Sequence, residues 1–588
     1  MRQRSSAPRR RRTAVLTALV ALLGLLAGCV TVPTAGPVRR VAGQQPTCQN
    51  CVDVEVAAPS LGDDPRQIVE GYLRATSNYQ PNYSVAKRFL TKSAAEKWSP
   101  EDGAAIYRGS PTVSGNRVVL DALLIGTLDG KRSYTARDRR LRVDFKLTKE
   151  DGEWRIGAPP RGLMVAESSF SRFYSPYSLY FVGNGRLVPD PIYLPDLRSQ
   201  SNIASVLIKA LLNGPSTWLK PAVTSAIPPT TTLSGDAVTI TDGVATVPLN
   251  DPVMQLDDQQ RQLMAAQVMY TLREAVGVKG VLFTVNQQPV HVPGSDDVSF
   301  VLPADKVPRE LDPIPFVAGD QLYAVRNGAV QLVQADSATP EIRPVSGDLG
   351  KGRYPVDSLA VSFANTDLAV VSDGRTAVRW STTSSGDVTT LMTGSQDLLR
   401  PQFSRFGELW VIGGPPGRQR MWVFSADKRT EVTADKLLGK GEVTAFRVAP
   451  DGVRMALIRK IGSRTELGLA RINRADKITV DGWLPLNTTQ TDQPQLRRLQ
   501  DVAWVDATQL LVLGSPSRSV ALQTYRLSQD ASSVTAQGEA TSWDAVELSV
   551  LLRSQAVIAV GRNGQSYRAE ASQWTPFVNK VSTIAYPG

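Results

Sequence analysis

The chain has 588 residues, 42% of them hydrophobic and 21% charged, so it can bury several cores and is too long for a single domain. Its formal charge of +11 looks like a nucleic-acid signature, yet six of the 66 basic residues and no acidic one fall in residues 1–28, leaving a dilute +5 elsewhere. The single histidine leaves histidine-based hydrolysis and histidine metal sites almost without material.

The basic run Arg9 to Arg12 is followed by 15 uncharged residues, Thr13 to Ala27. A bilayer span needs about 20, so a cleaved signal fits better than a spanning helix. The run ends in Leu25, Leu26, Ala27, Gly28 and Cys29, which resembles a bacterial lipobox. That resemblance implies cleavage after Gly28, with an S-diacylglyceryl thioether and an N-acyl group on Cys29. Each buried methylene adds about 0.8 kcal/mol, so two or more acyl chains hold a protein stably on a membrane. Residues 1–28 are therefore read as a lipoprotein signal peptide and 29–58 as a lipidated tether, with the rest on the extracytoplasmic face of the cell membrane. Within the tether, Cys48 and Cys51 are expected to form a local disulfide. A redox role is the alternative, but the pair sits in a Pro- and Gly-containing stretch, away from any strand-to-helix turn.

Residues 59–175 read as an α+β domain. Asp63, Asp64 and Pro65 open a helix whose apolar face carries Ile68, Val69, Tyr72 and Leu73. A second helical stretch is expected over Val85 to Trp98. Strands follow at Arg117 to Leu128, Leu141 to Thr148, and Trp154 to Ile156, the last after an Asp151-Gly152 turn. Helices followed by a curved antiparallel sheet resemble the cone of the NTF2-like superfamily. Such cones often hold a pocket, but Trp98, Phe145 and Trp154 are read as core.

Residues 176–300 change texture. Strands are expected at Leu179 to Val182 and Arg186 to Leu194, then a helix over Ile203 to Leu212 stopped by Asn213, Gly214 and Pro215. Ala237 to Val247 reads as two strands about an Asp242-Gly243 turn. Asp257 and Asp258 cap a helix from Gln259 to Val276, and a strand from Gly280 to Val285 closes the unit. The run Leu211 to Pro215, the run Ile227 to Leu233, and the helix with Gln260, Gln262 and Gln267 ahead of Thr271 and Leu272 resemble a GerMN module. The resemblance implies an α/β binding or scaffold domain with no catalytic residues. Gln267 and Thr271 are read as helix surface plus one core-facing cap. His291, in an extended Pro289 to Pro293 segment, is read as structural.

After a Pro- and Asp-rich connector, residues 313–588 are all-β with a loose repeat of paired apolar strands. The marker positions Phe363, Phe403, Phe446, Trp504 and Ser549 lie 40, 43, 58 and 45 residues apart, near the spacing of propeller blades. Phe316 would open a further blade, and the longest interval would hold an extra loop near Ala475 to Leu496. Five or six four-stranded blades closed into a ring leave only short edges. A β-sandwich is the alternative.

Lipobox, NTF2-like region, GerMN module and propeller, in that order, resemble the actinobacterial LpqB lipoprotein family. The resemblance implies an extracytoplasmic, non-enzymatic accessory of a two-component system, contacting the sensor domain of an MtrB-type histidine kinase and influencing signalling, cell division and envelope homeostasis. No HExxH, GxSxG, P-loop or EF-hand pattern occurs, and Gly347 to Gly352 fails both phosphate-loop spacings. No catalytic, cofactor-binding or metal-binding residue is assigned and no cofactor is expected. Binding of cell-wall glycan or lipid, or an envelope hydrolase using the propeller funnel, remain as alternative readings.

Overall fold

The computed structural model describes residues 56–588 apart from 197–199, 236, 335–339, 426–427, 490–494, 553 and 555. Cys29, Cys48 and Cys51, with the signal and nearly all of the tether, lie outside the described residues.

The N-terminal domain opens with helix α1 (Pro65–Ser77). Asp64 and Gln67 form a reciprocal capping box at its start and proline occupies its first turn. Ile68, Val69 and Tyr72 are fully buried on the expected face. The expected second helix is instead two short ones, α2 (Ser84–Arg88) and α3 (Lys92–Lys97). Thr91 breaks the run because its hydroxyl caps α3, accepting from the Ala94 N–H at 3.2 Å, while its own N–H donates to Ile156. Strands β1 (Ala104–Arg108), β2 (Pro111–Ser114), β3 (Arg117–Leu128) and β4 (Tyr134–Asp144) follow. A hairpin, β5 (Leu147–Glu150) with β6 (Glu153–Ile156), turns at Asp151-Gly152 as expected. The anticipated strand from Leu141 to Thr148 is thus the end of β4 and the start of β5. Strand β7 (Leu163–Ala166) pairs parallel to β1, so the sheet is mixed, and helix α4 (Glu167–Phe173) leads out of it. Trp98 and Phe145 lie in the core, and Trp154 packs half-buried against it.

The second domain begins with a twisted hairpin, β8 (Tyr174–Gly183) and β9 (Arg186–Pro195), followed by α5 (Gln200–Leu212). Strands β10 (Thr239–Thr241) and β11 (Val244–Leu249) turn at Asp242 and Gly243, both at positive φ. Helix α6 (Asp258–Val276) carries a capping box of Asp257 and Gln260, and crosses to β12 (Gly280–Val285), parallel to β11. The unit does not close at β12. Strands β13 (Gln288–Val290) and β14 (Leu302–Pro303) also pair with it, and Val307 and Leu311 of the connector belong to the same core.

The C-terminal domain is a propeller of six four-stranded blades. Five are contiguous: 356–392, 402–431, 442–485, 498–537 and 545–579. The sixth combines 322–344 with the last strand, Val581–Ala585, which pairs antiparallel with Leu322–Arg326 as its innermost member. Phe316 therefore opens no blade. It is exposed, outside any strand, and the inner strand expected near it comes from the far end of the ring. Nor is the long interval all loop: Thr479–Pro485 is the outer strand of its blade, and 486–497 makes the connection.

The domains are welded together. Arg454, only 2% exposed, donates to Asp451 at 2.9 Å within its blade and to the Pro189 carbonyl of β9 at 3.2 Å. Its neighbour Val453 is buried in the core of the second domain. The Trp218 indole N–H donates to the Gly482 carbonyl at 2.6 Å. From the first domain, the Lys131 ammonium donates to the Asn213 and Pro215 carbonyls just past α5, at 2.9 and 2.8 Å.

Candidate functional site

Three places could carry function: the propeller axis and two cavities at domain junctions. At the axis, Arg447, Asp501 and Glu547 of the inner strands meet Arg400, which lies just before the inner strand at Gln402. Arg400 donates to the carbonyls of Leu359, Leu548 and Ile584, joining the inner strands of three other blades, and pairs with Glu547 at 3.0 Å. Arg447 pairs with Asp501 at 2.9 Å, and Asp501 also accepts from the amides of Val502 and Leu548, each at 2.8 Å. Burial pulls the Arg447 guanidinium below its ordinary value, and the Asp501 charge opposes that shift. The Glu547 carboxylate accepts from the Thr583 hydroxyl at 2.8 Å. Each of these two guanidiniums is thus paired with a carboxylate.

The first cavity, about 610 Å³, opens where all three domains meet. The N-terminal domain gives it an aromatic floor of Tyr134 and Phe170, joined by Tyr174 of β8 and Tyr193 of β9, with neighbouring rings 5.3 to 5.8 Å apart. Gly126 makes room for this floor: a Cβ there would lie 2.3 Å from the Tyr134 ring. The opposite wall comes from the fifth contiguous blade's neighbour at 498–537, chiefly the hairpin bend Ser528 to Ser533. Asp530 organises that bend, accepting from the Ser528 hydroxyl at 2.9 Å, the Ser532 amide at 3.0 Å and the Tyr193 hydroxyl at 2.9 Å. Burial, then the Asp530 charge, pushes the Tyr193 phenol far up, so it stays a neutral donor. Glu167 at the edge is held by Arg108 in a two-pronged pair at 2.5 and 2.7 Å.

The second cavity, about 730 Å³, lies between the first two domains, lined by Lys131, Arg132, Glu101, Lys209 and Asp190 among others. Burial drives the Asp190 carboxyl upward even though it accepts the Ser216 amide at 2.6 Å.

Gln267 and Thr271 are not helix surface. Both are buried on α6, where Gln267 accepts from the Ala226 amide at 2.8 Å and donates to the Ser225 hydroxyl at 3.2 Å. Thr271 donates to the Gln267 carbonyl at 2.8 Å and accepts from the Tyr180 amide at 3.2 Å. Together they staple α6 to the loop before Ile227 and to β8, which is why the Gln-rich helix and the Ile227 segment belong to one pattern. His291 is half-exposed, 3.7 Å from Asp297. Among the described residues, no three His, Cys, Asp or Glu side chains gather as a metal ion would need, and no helix is long and apolar enough to cross a membrane.

The order of these domains has a match in known proteins. Residues 58–171 match the model of the LpqB lipoprotein N-terminal domain, 178–291 that of a sporulation and spore-germination domain, and 331–587 that of the LpqB β-propeller domain. A Cutibacterium acnes protein named lipoprotein LpqB is 30% identical over 98% of both chains. This chain belongs to the LpqB lipoprotein family. Further LpqB lipoproteins are 28% identical, in Thermobifida fusca over 91% of both chains and in Streptomyces coelicolor over 86% of this chain and 87% of the relative. Since the likeness runs through all three domains, the relatives share the whole described body and not one module alone.

Proposed function

We propose that this LpqB-family lipoprotein, anchored through acylated Cys29 on the extracytoplasmic face of the cell membrane, is a non-enzymatic accessory of a two-component sensor histidine kinase of MtrB type. Its outer surfaces dock the kinase's extracytoplasmic domain, and its effect on signalling, division and the envelope follows from that contact. The observation that carries this reading is the charge pairing at the axis. An enzyme built on a propeller would use converging, unmatched groups at the axis, whereas Arg400 and Arg447 occupy it, paired with Glu547 and Asp501. The welded junctions add to it, because a rigid three-domain body presents a fixed surface to a partner.

The test is photo-crosslinking in intact cells from exposed propeller and second-domain positions, followed by mass spectrometry of the captured proteins. Recovery of the kinase sensor domain, with loss of capture when Cys29→Ala releases the protein from the membrane, is the expected result. Capture unrelated to any kinase, or hydrolytic turnover of envelope substrates abolished by one Asp, Glu, Ser or Lys substitution, would overturn the reading.

A further inference from the structure

The three-domain cavity holds a side chain that the fold leaves unserved. Gln529 is 4% exposed, lies in the cavity wall, and neither its amide oxygen nor its amide nitrogen has a hydrogen-bond partner. Its backbone is fixed, the N–H donating to the Thr508 carbonyl at 2.8 Å, so the stranded group is the carboxamide alone. Buried amides are almost always satisfied, and one that is not marks a site that something else completes. The terminal torsion of a glutamine is soft, so a small turn brings the amide to a guest in the cavity.

We infer that this cavity is a binding site for a neutral saccharide, with Gln529 as the residue that reads its hydroxyls. The chemistry of the walls selects that class. The ionic groups at the cavity are engaged from within and balance in sign: Glu167 is paired with Arg108, Asp530 accepts from Tyr193, Ser528 and Ser532, and Arg526 donates to Gln509 at 2.8 Å. With Arg108 counted, two carboxylates face two guanidiniums, so the walls offer a charged guest no net opposite charge to offset its lost hydration. What remains is a carboxamide with donor and acceptor side by side, hydroxyls of Ser533 and Thr535 at the exposed mouth, and the aromatic floor opposite. Two vicinal hydroxyls of a pyranose match the carboxamide, one donating to Oε1 and one accepting from Nε2. The C–H face of the ring packs on Tyr134, Phe170 and Tyr174. The volume falls in the ~300–1,000 Å³ range of small-molecule pockets. Because its walls come from all three domains, the site exists only in the assembled body. It does not depend on what the outer surfaces dock.

The experiment uses the mature lipidated chain in a sugar-free detergent, with saturation-transfer NMR against glucose, mannose, N-acetylglucosamine, maltose and chitobiose at about 10 mM, where a Kd near 1 mM is visible. Glycerol and a Gly-Ser-Gly amide serve as controls. At least one saccharide should show saturated ring protons. Gln529→Leu should weaken it about tenfold, the loss of one to two hydrogen bonds. That variant replaces an unpartnered amide by an apolar group of similar size, so it should fold. Thr535→Trp, at an exposed rim position, should block entry without touching the core. Absence of any saccharide signal, binding indifferent to both variants, or binding of glycerol or the peptide amide instead would each overturn the inference.

Discussion

Breaking the Arg447–Asp501 pair should destabilise the propeller unequally from its two sides. Both side chains are under 10% exposed. Asp501→Leu leaves the guanidinium buried without its counter-charge, which costs about 3–5 kcal/mol. It also removes the acceptor of the Val502 and Leu548 amides, adding about 1 kcal/mol or more. Arg447→Met leaves a carboxylate that still accepts two amide N–H groups, so its cost should sit near the low end, about 3 kcal/mol. The double variant removes both charges and should cost less than the two singles together. At roughly 2–4 °C per kcal/mol for a domain of this size, Asp501→Leu should lower the propeller transition by about 10–15 °C. Scanning calorimetry at pH 7 on a soluble form beginning at Val56 measures this. A larger loss for Arg447→Met than for Asp501→Leu, or strict additivity in the double variant, would refute the argument.

Three further outcomes are expected. Burial raises the Asp190 carboxyl, so its protonated form supports the fold below the unfolded value near 3.9, and that support is lost as pH rises through the folded value; Asp190→Asn should therefore raise the melting temperature at pH 7, with the gain shrinking as pH falls toward 4. Gln267→Leu strands the Ala226 amide and should cost about 1–3 kcal/mol, read as faster hydrogen exchange at Ser225 and Ala226, while unchanged exchange would dismiss the staple. Deleting 581–588 removes the buried Val581, Ile584 and Tyr586, at ~1.5–3 kcal/mol each a loss comparable with a whole domain's stability of about 5–15 kcal/mol; the propeller transition should vanish, with proteolysis starting in 322–344, and its survival would contradict the closure.

Where chemistry is local, the sequence told the structure well. Asp64 with Pro65, Asp257 with Gln260 and Asp242 with Gly243 act through neighbours within a few residues, and each helix start or turn was found where those residues stand. Strand β3 alternates cleanly and was placed end to end, whereas β4 was half missed because its exposed arginines hide the period. Thr91 split a helix through a cap that competes with helical continuity. The blade spacing was legible because Phe403, Phe446 and Trp504 lie in inner strands and Phe363 just past one, so large rings recur at the blade interval. Its one failure, Phe316, came from a strand supplied by the other end of the chain, which leaves no local trace. Gln267 was misread because a buried polar residue and a surface one look alike until its partners at Ser225 and Ala226 are known. The saccharide cavity had no sequence signal at all, since Tyr134 and Gln529 are almost 400 residues apart.

The pairing of Tyr323 with Ala585 sets the order of events as the polypeptide emerges during synthesis. The first two domains and the contiguous blades can form as their residues appear, but the ring cannot close until more than 250 further residues have followed Tyr323. Throughout that interval the edge at Leu322–Arg326 has no inner neighbour, and such long-range pairing is slow. The open edge is then a place where strands from other chains can add. An emerging chain is therefore exposed to misassembly in proportion to how slowly its last strand arrives, and any factor that shields that edge would raise the yield of the folded lipoprotein without changing its stability.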